Sequence, residues 1–219
     1  MSAVGGAPGS ELLALVRETF GRRASATLPP LPPIAFSHAP GAQPDPVPPA
    51  GRAQAGLAWG RLVPVVDARQ RLALDVAAGL LSARLFNQLR EKEGLGYSVG
   101  AFVESLGEAA LVSVRMATGP EKVAQARAGI AREMEAVARE PVGPEEVARR
   151  AEALAGRWAM RLLSSINQAY ALGVAEFAGL PHRFGQDSRR LLLALTPQEV
   201  TAAARAAFQP SVGMWAEAQ

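Results

Sequence analysis

Between Thr27 and Pro49 lie nine prolines, and no other stretch limits the fold so sharply. Each ring fixes φ and removes a backbone donor, so this segment cannot enter a helix or an interior strand. Its composition reads as a linker in preference to a ligand for a proline-recognition module, because a linker needs no partner. Residues 25–50 are therefore expected to separate a short opening segment, 1–24, from one compact domain over 51–219. In the opening segment Leu12, Leu13, Val16 and Phe20 recur at helical spacing from Glu11 to Arg23, with Gly21 near the stop.

The rest of the 219-residue chain has the apolar content of a folded domain, 49% hydrophobic against 20% charged. Lys and Arg number 23 against 20 Asp and Glu, and the signs interleave, as in Glu145-Glu146 followed by Arg149-Arg150. Such alternation marks solvated helix faces, and no basic run tracks a nucleic acid. The chain has no cysteine, which removes disulfides, thiolate nucleophiles and cysteine-held metals. Neither a basic-apolar leader nor a run of ~20 apolar residues is visible. The expectation is a cytoplasmic protein without a membrane span, or a periplasmic one if an upstream signal has been lost.

Past the linker, Gln54–Val66 reads as a strand, and Asp67 caps a long helix whose apolar face includes Leu72, Val76, Leu80 and Leu89, with Gly79 as a bend. Gly94 and Gly96 end it. Tyr97, Val99, Ala101 and Val103 then alternate, Gly107 turns the chain, and Ala110, Val112, Val114 and Met116 return as the partner strand of a hairpin. Pro120 opens a helix carrying Val123, Ala126, Ile130, Met134 and Val137. Gly143-Pro144-Glu145-Glu146 opens another, which breaks near Ser164-Ser165. Thr196 and Glu199 have the spacing of a capping box for a helix to Phe208, and Val212, Met214 and Ala216 make a last strand. This order predicts an α+β fold, an antiparallel or mixed sheet with helices on one face, and excludes the strict alternation of a doubly wound sheet.

Candidate chemistry is sparse. The only histidines, His38 and His182, are far apart and neither belongs to an H-x-x-E-H helix, so a peptidase-type zinc site with convergent imidazoles and a carboxylate cannot be assembled. His182 has no nucleophile-elbow serine to serve. Gly94, Gly96 and Gly100 follow a helix where a phosphate loop would precede one, and Glu91 and Glu93 flank Lys92 at a solvated helix end. Phe102, Trp158 and Trp215 read as core or rim residues.

The most specific stretch runs Ser82-Ala83-Arg84-Leu85-Phe86-Asn87-Gln88-Leu89-Arg90-Glu91-Lys92-Glu93-Gly94-Leu95-Gly96-Tyr97-Ser98-Val99-Gly100-Ala101. It resembles the S-R-L-F-x-x-L-R-E-K-x-G-L-A/G-Y-S-V segment of the C-terminal, non-zinc (inactive) domain of the pitrilysin or insulinase family of zinc metallopeptidases. The likeness extends more loosely from Gln54 to the closing strand, and the opening helix resembles the last helix of that family's preceding domain. Two departures stand out. The segment Ala78-Gly79-Leu80-Leu81 is shorter than the family's, and Ala83 separates Ser82 from Arg84.

The resemblance implies a processing-peptidase-like α/β sandwich of bacterial type, inactive alone, that pairs around an unstructured peptide substrate with a zinc-bearing H-x-x-E-H domain, either on a second chain as a heterodimer or on a lost upstream segment. Zinc is then expected on the partner and no metal on this chain. The residues matching the family's substrate contacts are Arg90 and Tyr97, both hydrogen-bond donors. Read without the motif, Arg90 would offset the negative end of a helix and Tyr97 would be a half-buried strand residue. A structural or assembly subunit that kept the fold without peptide processing is the alternative function.

Overall fold

A computed structural model describes residues 2–22, 54–65, 67–106, 109–177 and 184–218. The proline-rich linker, the turn at Gly107 and both histidines fall outside them. The chain divides into two compact units, one drawing on Met1–Ser37 and Gly156–Asp187, the other on His38–Ala155 and Ser188–Gln219.

Among the described residues the larger unit is built on four strands: β1 (Ala55–Pro64), β2 (Ser98–Leu106), β3 (Ala109–Thr118) and β4 (Met214–Ala218). They lie in the order β2-β3-β1-β4, antiparallel throughout, which decides between the antiparallel and mixed sheets the sequence allowed. Register follows side-chain alternation. Leu57 stands opposite Met116 and Trp59 opposite Val114, so the buried residues of both strands share one face. That face is covered by helices, and Phe102 and Met214 are exposed on the opposite one.

Helix α2 (Ala68–Leu85) starts where Asp67 accepts a hydrogen bond from the Gln70 N–H, 2.7 Å, as the sequence predicts. It passes through Gly79 without interruption and buries nine residues, from Leu72 to Leu85, against β2, α3 (Val123–Arg139) and α7 (Pro197–Ala207). A helix buried on so much of its circumference is the centre of the unit's core. Ser82 and Arg84 leave it in different directions, since two residues advance a helix by roughly 200°. The Ser82 hydroxyl accepts from the Ala101 N–H (2.8 Å) and donates to the Ala101 carbonyl (3.1 Å), which closes the outer edge of β2 at that residue. Arg84 pairs with Glu133 (3.2 Å) and Glu140 (2.6 Å), fastening α2 to α3.

The capping box of α7 is present: Glu199 donates its N–H to the Thr196 hydroxyl and its carboxylate accepts from the Thr196 N–H, 2.8 Å. Arg69 of α2 grips the same carboxylate and holds it well down, at a pKa of about 2. β4 begins two residues later than the sequence suggests, its start set by pairing of Met214 with Gly60. Beside it Trp59 donates its indole N–H to the Pro210 carbonyl, 3.3 Å.

The smaller unit is helical. It holds α1 (Gly9–Phe20), the last turn and a half of α4 (Pro144–Arg161), α5 (Ser165–Phe177) and the start of α6 (Phe184–Leu193). The break expected near Ser164-Ser165 is there, with the Ser164 hydroxyl accepting from the Asn167 N–H at 3.3 Å. Helix α1 buries none of its residues fully. No described helix is long and apolar enough to cross a membrane.

Candidate functional site

At the C-terminal end of α2 the helix widens. Phe86–Lys92 form a π-helical segment, in which the Glu93 N–H reaches back to the Gln88 carbonyl, 2.9 Å. Such widenings are rare and frequent at functional sites. Nothing in the residue pattern foretells it; a signal is found only in packing, where Leu89 is fully buried and presses its side chain onto Gly129 of α3, leaving no room there for a Cβ.

The segment ends at Gly94, whose φ of +62° is the left-handed geometry that glycine supplies without steric cost. Two residues on, a Cβ at Gly96 would stand 2.1 Å from the Ala117 carbonyl oxygen, so the backbone lies flat against the end of β3. Leu95 between them is buried, its N–H donating to the Leu89 carbonyl at 2.8 Å and its carbonyl accepting from the Thr118 hydroxyl. The Lys122 ammonium donates to the Gly94 carbonyl, 3.1 Å, and Arg132 pairs with Glu93 at 2.5 Å. A short turn is thus tied to the π-helical segment, to β3 and to α3.

What this turn carries is left uncovered. Tyr97, expected at the start of the strand and half-buried, lies just before β2 with 83% of its surface exposed, and its hydroxyl has no partner among the described residues. Arg90 stands over the Phe86 ring at 4.6 Å and touches Glu91 at 3.4 Å, its side chain partly exposed. Arg90 and Tyr97 line one open cavity of about 420 Å³, together with Gln54, Glu91, Thr118, Glu121 and Lys122. The two site residues read from the sequence are brought together; Thr118 and Lys122, which sequence reasoning missed, complete the wall. Their signal would have been contact with the turn, which no local pattern encodes.

Chemically the cavity lining sets three donors, a guanidinium, a phenol and an ammonium, beside the carboxylates of Glu91 and Glu121. Among the described residues no cluster of three His, Cys, Asp or Glu side chains could hold a metal ion, and the sequence has no H-x-x-E-H motif.

The family model of the peptidase M16 inactive domain matches residues 1–154. An uncharacterized zinc protease of Mycobacterium bovis is 30% identical over 210 residues, covering 94% of this chain and 48% of its own length, and proteins of the same description from Mycobacterium tuberculosis match equally. The chain thus spans about half the length of the curated relatives it matches. In fold it is similar to a protease from Helicobacter pylori (TM-score 0.80, 16% identity, 99% of this chain and 53% of that one). A second similar structure is a peptidase M16 inactive domain from Pseudomonas fluorescens (TM-score 0.67, 20% identity, 76% and 41%).

Proposed function

The chain belongs to the peptidase M16 inactive-domain family, and on that premise we propose that it is the substrate-holding half of a zinc metallopeptidase, with Arg90 and Tyr97 as its peptide contacts. The family resembled by the Ser82–Ala101 segment is the family to which the chain belongs, and inactive domains of this family pair with zinc-bearing peptidase domains. One observation carries the finer reading. In a chain without the zinc motif, two exposed donors, Arg90 before a turn and Tyr97 after it, line one open cavity, and the backbone of that turn is fastened on several sides. Evolved binding sites hold donors in place before the ligand arrives, because ordering them afterwards would cost affinity.

In this reading the partner supplies zinc, the general base and the activated water, and this chain supplies cleft wall and orientation. Arg90 and Tyr97 would hold a carbonyl of an unstructured peptide, or the oxyanion that develops on it. A preorganised donor of that kind is worth about 10²–10³ in kcat.

The test is cleavage of a quenched, unstructured peptide by this chain, by its zinc-bearing partner, and by the two mixed. The expected result is activity in the mixture alone, abolished by chelator and lowered about 10²-fold or more by Arg90→Ala or by Tyr97→Phe. Chelator-resistant cleavage by this chain alone would falsify the proposal. A mixture indifferent to both substitutions would leave the chain a structural subunit.

A further inference from the structure

We propose that Lys122 is a positioning residue for Tyr97, acting through the Gly94 carbonyl; this rests on the reading of Tyr97 as a peptide contact. Because Tyr97 is so exposed, its own side chain has little packing to fix it, and its place is decided by the backbone that leads to it. The first peptide plane of the turn that leads to it joins Gly94 to Leu95. Where the carbonyl of that plane points is set by ψ of Gly94, and glycine, here at φ +62°, has the widest choice of backbone conformation.

The plane is held at its two ends. The Leu95 N–H donates to the Leu89 carbonyl at 2.8 Å, and the Gly94 carbonyl accepts from the Lys122 ammonium at 3.1 Å. The next plane is held through the Leu95 carbonyl by Thr118, and Gly96 is pressed against Ala117. Lys122 supplies the charged donor of this set, through a bond that faces solvent. Its own backbone is stiff. It closes the short 3-10 turn Pro120–Lys122, donating its N–H to the Gly119 carbonyl at 2.9 Å just before α3 begins. The ammonium also lines the cavity that Arg90 and Tyr97 share, so loss of Lys122 loosens the turn at the place where a peptide would sit.

Two measurements on the full chain test this. Hydrogen exchange of the Leu95 amide should be roughly five- to tenfold faster in Lys122→Met, with the thermal midpoint nearly unchanged, and Lys122→Arg should restore it to within about twofold. Binding of a fluorescein-labelled, unstructured 20-residue peptide (a probe of roughly 20 residues, chosen long enough to span a binding cleft), read by anisotropy, should weaken roughly threefold or more in Lys122→Met but show no further loss when Tyr97→Phe is already present. Unchanged exchange at Leu95 overturns the proposal. So does an equal loss of binding in both backgrounds, which would mean that the ammonium touches the peptide directly. If Tyr97→Phe and Arg90→Ala leave peptide binding intact, the proposed function fails, and exchange at Leu95 still decides whether Lys122 holds the turn.

Discussion

Two halves of one twenty-residue segment behave in opposite ways. From Ser82 to Leu89 the side chains are spent on the fold: Ser82 closes an edge of the sheet, Arg84 bridges to the buried Glu133 of α3, and Leu85 and Leu89 are fully buried. From Arg90 to Tyr97 the backbone is fastened while the side chains of Arg90, Glu91 and Tyr97 face a cavity. One motif, read as a single string, therefore contains a platform and a tool. Residues that pack specify where the turn lies, which frees those on the turn to be chosen for what they touch.

Substitutions can break that division, and the largest effect belongs to the platform. Leu89→Ala should cost about 2–5 kcal/mol, because the methyl groups lost are those seated on Gly129 and the π-helical segment leaves little freedom to collapse. Chemical denaturation reads it directly, and a cost below about 1 kcal/mol would mean that the segment packs loosely.

Asp75 sharpens the same contrast through pH. Burial on α2 raises its carboxyl to about 6 from the usual 3.8, more than the neighbouring Arg71, 3.6 Å away, draws it down. A folded-state pKa above the unfolded one means that the folded protein binds the proton more tightly. Its stabilising contribution is full below about pH 4 and is lost as pH rises through about 6. Asp75→Asn should flatten the stability profile between those limits and raise stability at pH 7 by about 1–3 kcal/mol, measured by denaturation at several pH values.

A smaller loss is expected from Ser82→Ala. The Ala101 N–H and carbonyl at the sheet edge would be left without their partner, at a cost of about 1–2 kcal/mol. Amide exchange at Ala101 should rise in parallel, and if it does not, another group closes that edge. At the far end of the scale, Arg90→Ala and Tyr97→Phe should change stability by no more than about 0.5 kcal/mol, whatever they do to peptide handling. A melting curve displaced well beyond that would make either residue part of the platform after all.

Much of this is legible in the amino-acid sequence wherever the information is local. Asp67 and the Thr196/Glu199 pair announce helix starts through hydrogen bonds spanning three residues. The hairpin of β2 and β3 is visible in period-two alternation around Gly107, and Arg90 and Tyr97 stand at motif spacing. Other features escape because their causes lie far along the chain. The π-helical segment seats Leu89 on a glycine of α3 some forty residues on, and Lys122 reaches the turn from beyond the end of β3. The interposed Ala83, a departure from the family pattern, acquires a meaning only in three dimensions: it aims Ser82 at β2 and Arg84 at α3.

By itself, then, the sequence determined the family and the helix caps, which are written in residues within a few positions of one another, and the α+β class, which is written in the order of its elements. Tertiary structure alone decided the strand order β2-β3-β1-β4, the partial burial of Asp75 and the company that Arg90 and Tyr97 keep. Those are outcomes of which distant surfaces can pack with the least empty space and the fewest unpaired polar groups, and no local pattern carries that sum.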